Sequence, residues 1–313
     1  MKPNTISTTG APLRALFTPL LAIAATALLA APAAVRAQTF YVSSGSQNTA
    51  NQAIKKVDST GAVSLFVTLP ANSNPHDLAF DVSGNLYVAD QDTAQISRIT
   101  SGGAVSLFAT LPTGAYASGL AFDTSGNLYV GDLAKLHKIT GGGVVSLFAT
   151  LPVGAGSLDL AFDISGNLYA SSLGTNQIHK ITSSGVVSLF ATVPSPQGLA
   201  FDTSGNLYVA EGSLNQISKI TSGGVVSTFA ALPGDSNPFG LAFDGSGNLY
   251  AAGYNHGQIF KITAGASVTT FATGLDTELK FIAPVVPEPS TWTMLALGVG
   301  AFTALRCRRK TAD

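Results

Sequence analysis

Short apolar runs, each closed by a polar turn rich in glycine, alternate along the chain from Thr39 to Pro284. One copy shows the pattern well: Leu199 to Phe201, Asn206 to Ala210, Gln216 to Thr221 and Val225 to Ala230. Between these runs stand Asp202-Thr203-Ser204-Gly205 and Thr221-Ser222-Gly223-Gly224. Runs this short, bounded by Gly and Asp, predict strands, and the tight turns between them make successive strands antiparallel.

The runs form a repeat. Phe80-Asp81-Val82-Ser83-Gly84-Asn85-Leu86-Tyr87-Val88 recurs from Phe122, Phe162, Phe201 and Phe243, at spacings of 42, 40, 39 and 42 residues. A four-stranded unit of about this length is the mark of a radially repeated all-β architecture. Strands such as Val144 to Leu151 lack polar alternation, which predicts neighbours on both sheet faces. Gly-Leu-Ala at 119 to 121, 198 to 200 and 240 to 242 supplies the small residues that innermost strands need near an axis. Ahead of the first full unit, Phe40 to Val42, Gln52 to Val57 and Val63 to Leu69 match a second, third and fourth strand. After the last, Leu279 to Ile282 matches a first strand. Joined, the fragments make a sixth unit. The predicted fold is an all-β, six-bladed β-propeller of four-stranded antiparallel blades over residues 38–284, closed by pairing of N- and C-terminal strands.

The ends read as addresses. Lys2 and Arg14 precede an uncharged run from Ala15 to Ala34, and Val35-Arg36-Ala37 follows, so residues 1–37 are expected to be a helical secretion signal cut by signal peptidase. Residues 285–313 hold Val286-Pro287-Glu288-Pro289, an uncharged stretch from Thr291 to Leu305, and Arg306-Cys307-Arg308-Arg309-Lys310. A helix over that stretch would reach about 22 Å, short of the ~30 Å hydrocarbon core. It is expected to insert only transiently in the inner membrane; a permanent tail anchor is the alternative. This tail resembles the PEP-CTERM sorting signal of Gram-negative bacteria. The resemblance implies recognition by an exosortase and release to the outside, commonly alongside exopolysaccharide production.

Composition narrows the function. Charged residues make up 11% of the chain and hydrophobic ones 46%, which excludes disorder for most of it. Residues 38–286 carry nine basic and fifteen acidic side chains, a net charge of about −6, and this excludes a nucleic-acid binder. The single cysteine, Cys307, excludes a disulfide framework and a Cys-x-x-Cys metal site.

The recurrent strand-Phe-Asp-x-Ser-Gly-Asn-Leu-Tyr-Val string, followed by Asn-Gln-Ile-x-Lys-Ile, resembles NHL-type propellers across residues 39–284. Fold-level relatives include the gluconolactonase and senescence-marker-protein family and the virginiamycin B lyases. Their chemistry does not carry over residue by residue. The first family's metal-binding glutamate near the propeller start has no counterpart, since residues 38–57 contain no Glu or Asp. The lyase pattern of a His and a Glu closely followed by another His is absent, since Glu211 is the only glutamate between Gln38 and Thr277.

Strand direction still picks a rim. The loop after the second strand and the crossover after the fourth emerge at one end, where loops on a rigid scaffold usually carry function. That end collects His76, Asp77, Asp90, Tyr116, Asp132, Asp159, Glu211, Tyr254 and His256 as candidate ligand-binding residues, with Asp92, Asp235, Phe239 and Asn255 beside them. Tyr116, Phe239 and Tyr254 could stack on sugar rings. The recurrent Asp81, Asp123, Asp163, Asp202 and Asp244 fall at the opposite end, in a position suited to Asx-turns. His137 and His179 replace Ser97 and Ser218 of other repeats and are expected to be partly exposed strand residues. No catalytic residue and no cofactor is assigned, and a metal is left undecided. The expectation is an exported, non-enzymatic binding or structural propeller that meets a glycan or another extracellular ligand. The alternative is a hydrolase or lyase using a rim metal or His76 and His256.

Overall fold

The computed structural model describes residues 38–44 and 52–284; the expected signal segment, residues 45–51 and the sorting tail lie outside the described residues. Six four-stranded antiparallel sheets are present. In five of them the strands follow chain order from the axis outward, and their innermost strands are Pro75–Phe80, Ala117–Phe122, Ser157–Phe162, Pro196–Phe201 and Pro238–Phe243. These are blades 1 to 5. Blade 6 runs Leu279–Pro284, Phe40–Ser44, Ala53–Val57, Val63–Thr68, with Phe40 opposite Pro284 and Val42 opposite Ile282. The six innermost strands touch one another in a closed ring. The expected propeller and its closure by the two chain ends are therefore present. Phe40 and Pro284 sit at the rim where every other blade turns from first to second strand.

That turn explains the recurrent aspartate. Asp163 Oδ1 accepts the backbone N–H of Ser165 and of Asn167, both at 2.9 Å, and Oδ2 accepts Asn167 Nδ2 at 2.8 Å and the Tyr169 hydroxyl at 3.2 Å. Each of the other four aspartates makes the same set, so these are Asx-turns. The tethered tyrosine then enters the seam to the next blade: the Tyr169 ring lies 4.9 Å from Phe190 and 5.0 Å from Phe201, near-perpendicular to both. Edge-to-face contact of this kind adds to burial, and Lys180 covers the same ring at 5.4 Å. One motif thus closes a turn and fills a seam.

Two expectations need correction. The outermost strand of blade 2, Val145–Thr150, is not covered on both faces: Leu147 is 58% exposed, and Val144 just ahead of it 65%. Missing alternation reflects an outer edge that only Phe148 and Ala149 anchor to the next seam. The doubly covered strands are the second ones, such as Leu128–Asp132, buried at every position. His137 and His179 are buried as well, because the third strand lies between neighbouring blades.

All six innermost strands share an irregularity. Pro75 pairs with Asp90 and Leu78 with Val88, so His76 and Asp77 together oppose one residue of the second strand. The same β-bulge recurs at Ser118-Gly119, Leu158-Asp159, Gln197-Gly198, Phe239-Gly240 and Lys280-Phe281. Bulges re-aim side chains, and here they do so at the axis. A Cβ on Gly119 would fall 2.7 Å from Asp159 Cα, and one on Gly240 2.6 Å from Phe281 Cα. At the axis, glycine is required by the approach of the next backbone.

Candidate functional site at the axial mouth

Five repeats nearly identical elsewhere differ at these bulges, where the six pairs read His-Asp, Ser-Gly, Leu-Asp, Gln-Gly, Phe-Gly and Lys-Phe. A scaffold that repeats itself builds an asymmetric site only where its copies diverge. The loops above belong to the rim selected from strand direction.

The aromatic part joins blades 5, 6 and 1. Phe239 and Tyr254, both partly exposed, stack at 5.7 Å with 30° between their planes. Beneath them Phe281 meets Phe239 edge-on at 5.2 Å, and the His76 ring packs 5.0 Å from Phe281 and 5.7 Å from Phe239. His76 is 3% exposed, and burial, reinforced by the nearby Lys280 ammonium, pushes it down to about 3, so the ring is neutral. Its Nδ1 has no hydrogen-bond partner in the protein. Lys280 itself is buried and shifted downward, and it donates to Asn74 Oδ1 at 2.5 Å. Asn74 passes the contact on through Nδ2 to Gln91 Oε1 and Asp92 Oδ1, at 3.3 and 3.2 Å.

The other candidates divide by what they hold. Asp90 Oδ1 accepts the backbone N–H of Asn74, Asp92 and Thr93 at 3.1 to 3.3 Å, binding the crossover to the rim loop of blade 1. Asp132 does the same in blade 2: Oδ1 takes the Tyr116 N–H at 2.8 Å while Oδ2 faces His137 Nε2 at 3.1 Å. Glu211 accepts Gln216 Nε2 at 2.9 Å and the Ser218 hydroxyl in blade 4. The Tyr116 ring is 39% exposed. His256 stands on the rim surface, 3.6 Å from Asp235 Oδ2, whose Oδ1 accepts Asn255 Nδ2 at 2.8 Å. Asp77 and Asp159 lie deeper, at the axis itself.

His76, Phe239 and Tyr254 are thus brought together, while Asp132, Glu211 and His256 remain in separate blades. Lys280 and Phe281 were missed from the candidate set, although both precede the apolar end of an innermost strand just as His76 and Asp77 do. Among the described residues no three His, Cys, Asp or Glu side chains converge in a way that could hold a metal ion.

With this geometry in view, comparison with known proteins gives a consistent picture. The virginiamycin B lyase family model matches residues 46–262. The PEP-CTERM protein-sorting motif matches residues 285–310, which marks an exported chain for cell-surface sorting and exosortase processing. Comparison with curated proteins gives no match. Among solved structures, the chain is similar to a catalytically inactive histidine-to-alanine variant of virginiamycin B lyase from Staphylococcus aureus with quinupristin. The two share 19% identity, with 79% of this chain and 92% of that one covered and a TM-score of 0.62. A streptogramin B lyase aligns at 17% identity, covering 77% of this chain and 86% of that one, TM-score 0.63. A chain of a nidogen/laminin complex aligns at 19%, covering 80% and 98%, TM-score 0.68. Identities this low establish a shared fold, one found both in lyases and in a protein–protein complex.

Proposed function

We propose, since the chain belongs to the virginiamycin B lyase family, that it keeps the family's scaffold without its chemistry. On this reading it is a non-enzymatic binding propeller, delivered to the cell surface or matrix, whose axial mouth takes a ring-shaped ligand such as a polysaccharide unit. The supporting observation is the Phe239–Tyr254 stack, partly exposed and braced by Phe281 and His76. Planar apolar faces of this kind receive sugar rings, and rigid two-torsion side chains lose little entropy on binding. Several ionisable groups near the stack are already engaged in holding the scaffold. His76 is neutral and packed in rings, Lys280 is bonded to Asn74, and Asp90 fixes the rim loop of blade 1.

Delivery follows the chain ends on this reading: signal peptidase removes residues 1–37, the tail dwells briefly in the inner membrane, and exosortase releases the protein. The test is affinity electrophoresis and calorimetry against bacterial exopolysaccharides with wild type, Phe239→Ala and Tyr254→Ala. Loss of a buried aromatic anchor typically weakens binding by about 30-fold or more. Retention of wild-type affinity by both variants would remove the site.

The second reading, a rim metal or histidine serving a lyase or hydrolase, draws on the His256–Asp235 pair. A stoichiometric divalent ion in purified protein, lost in Asp235→Asn, would favour it.

A further inference from the structure

Asp77 and Asp159 stand on the innermost strands of blades 1 and 3, with Gly119 of blade 2 between them. Both are buried, at 4% and 5% exposure. Asp77 accepts two backbone N–H groups, Leu78 on Oδ1 at 2.6 Å and Leu120 of blade 2 on Oδ2 at 2.5 Å. Asp159 repeats this one pair of blades further on, taking Leu160 at 2.7 Å and Leu199 of blade 4 at 2.6 Å. The two carboxyls, on either side of Gly119, are also near enough for each to act on the other's proton.

Two carboxylates in contact have no proton to offer one another, and in a dry site they repel strongly. Two buried carboxyls this near to one another favour holding one proton between them. Gly119 makes the approach possible, because any side chain there would strike the Asp159 backbone.

No opposing charge relieves the pair. The packed strands of blades 2 and 4, Ala117–Phe122 and Pro196–Phe201, carry no titratable side chain. On the remaining neighbours, Asp90 is turned to Asn74, Asp132 to Tyr116 and His137, and Lys280 to Asn74. The tyrosines of the second strands, Tyr87, Tyr129 and Tyr169, direct their hydroxyls to the turn aspartates; Tyr41 lies against Phe66 and Phe80. His76 on the same strand is neutral.

We propose that Asp77 and Asp159 share a single proton that locks blades 1 to 4 together at the axis, and that removing this proton loosens the ring. The propeller then carries an acid-favoured latch. Burial first, and the neighbouring carboxyl second, raise Asp77 well above the usual carboxylate range; burial raises Asp159 too. A carboxyl raised in the folded state stabilises fully below its unfolded value near 4, and that stability is lost as pH rises through the folded value.

The experiment uses the full exported chain in two measurements. Carbon-13 NMR of aspartate-labelled wild type should find at least one carboxyl still protonated at pH 6, where Asp123, Asp163, Asp202 and Asp244, held below the usual carboxylate range by their turn hydrogen bonds, are ionised. The wild-type melting temperature should fall by roughly 5–10 °C between pH 6 and pH 9, and the Asp77→Asn/Asp159→Asn double variant should lose that slope whatever its absolute stability. Complete ionisation of every aspartate by pH 6 overturns the proposal, as does a slope unchanged in the double variant. A wild-type-specific rise in melting temperature on adding magnesium or calcium at pH 9 also overturns it, because the pair would then be a cation site. Should the variants fail to fold, the wild-type NMR titration decides alone.

Discussion

Closure of the ring by Phe40 can be measured. Phe40 is fully buried, its ring centroid 4.4 Å from Tyr250 and 6.2 Å from Phe271, in the seam between blade 5 and the blade made from both chain ends. In the five internal blades the same position is held by Leu86, Leu128, Leu168, Leu207 and Leu249. Phe40→Ala should therefore cost about 3–5 kcal/mol, the usual range for emptying a buried aromatic site. That range already includes the lost contacts to the two rings, one tilted and one edge-on. Phe40→Leu restores the residue the other blades use and should cost less than about 1.5 kcal/mol. For a domain of this size each kcal/mol lowers the melting temperature by about 2–4 °C, so the alanine variant should melt roughly 6–20 °C below wild type and the leucine variant within a few degrees of it. Calorimetry on the exported chain reads both. If Phe40→Ala melts within about 2 °C of wild type, the N-terminal strand is not part of the cooperative core and the account of closure is wrong.

Two further outcomes follow from the axis. Gly119→Ala would place its Cβ within 2.9 Å of three backbone atoms of Asp159 and Leu160, whereas Gly234 has nothing within 4 Å; the first should exceed the ~1–3 kcal/mol of ordinary overpacking, while Gly234→Ala should be close to neutral in the same melts. His76 is held neutral with a value of about 3, below its unfolded 6.5, so its contribution is complete above 6.5 and lost as pH falls toward 3. His76→Phe, which keeps the ring packing, should flatten that acid limb by about 1.4 kcal/mol per pH unit; an unchanged limb in the variant would show that other groups control acid stability.

The blade count was legible because each turn is local chemistry: Asp, Gly and Asn must sit at fixed offsets, so the motif marks the blade. Closure was legible for the same reason, as Phe40-Tyr41-Val42 and Leu279 to Ile282 are halves of one such blade. The axial site was less so. Asp77 and Asp159 were grouped with rim carboxylates such as Asp132 because all fall near the same end of the chain path. What separates them is a bulge, and a single inserted residue leaves no mark in an apolar run. Their mutual contact depends on skipping one blade across Gly119, a relation of ring geometry rather than of spacing. His179 was misplaced for a related cause: a third strand lies between blades, so even its polar residues are enclosed.

Phe40 and Pro284, paired in blade 6, lie on the side of the aspartate turns, and the Phe239–Tyr254 stack lies at the other end of the strands. A pull applied at Pro284 would therefore act on the turn side. A molecule tethered by its tail would hang like a lamp from its cord, with the Phe239–Tyr254 opening directed away from the point of suspension. What approaches such a molecule from the side away from Pro284 would meet the Phe239–Tyr254 stack first.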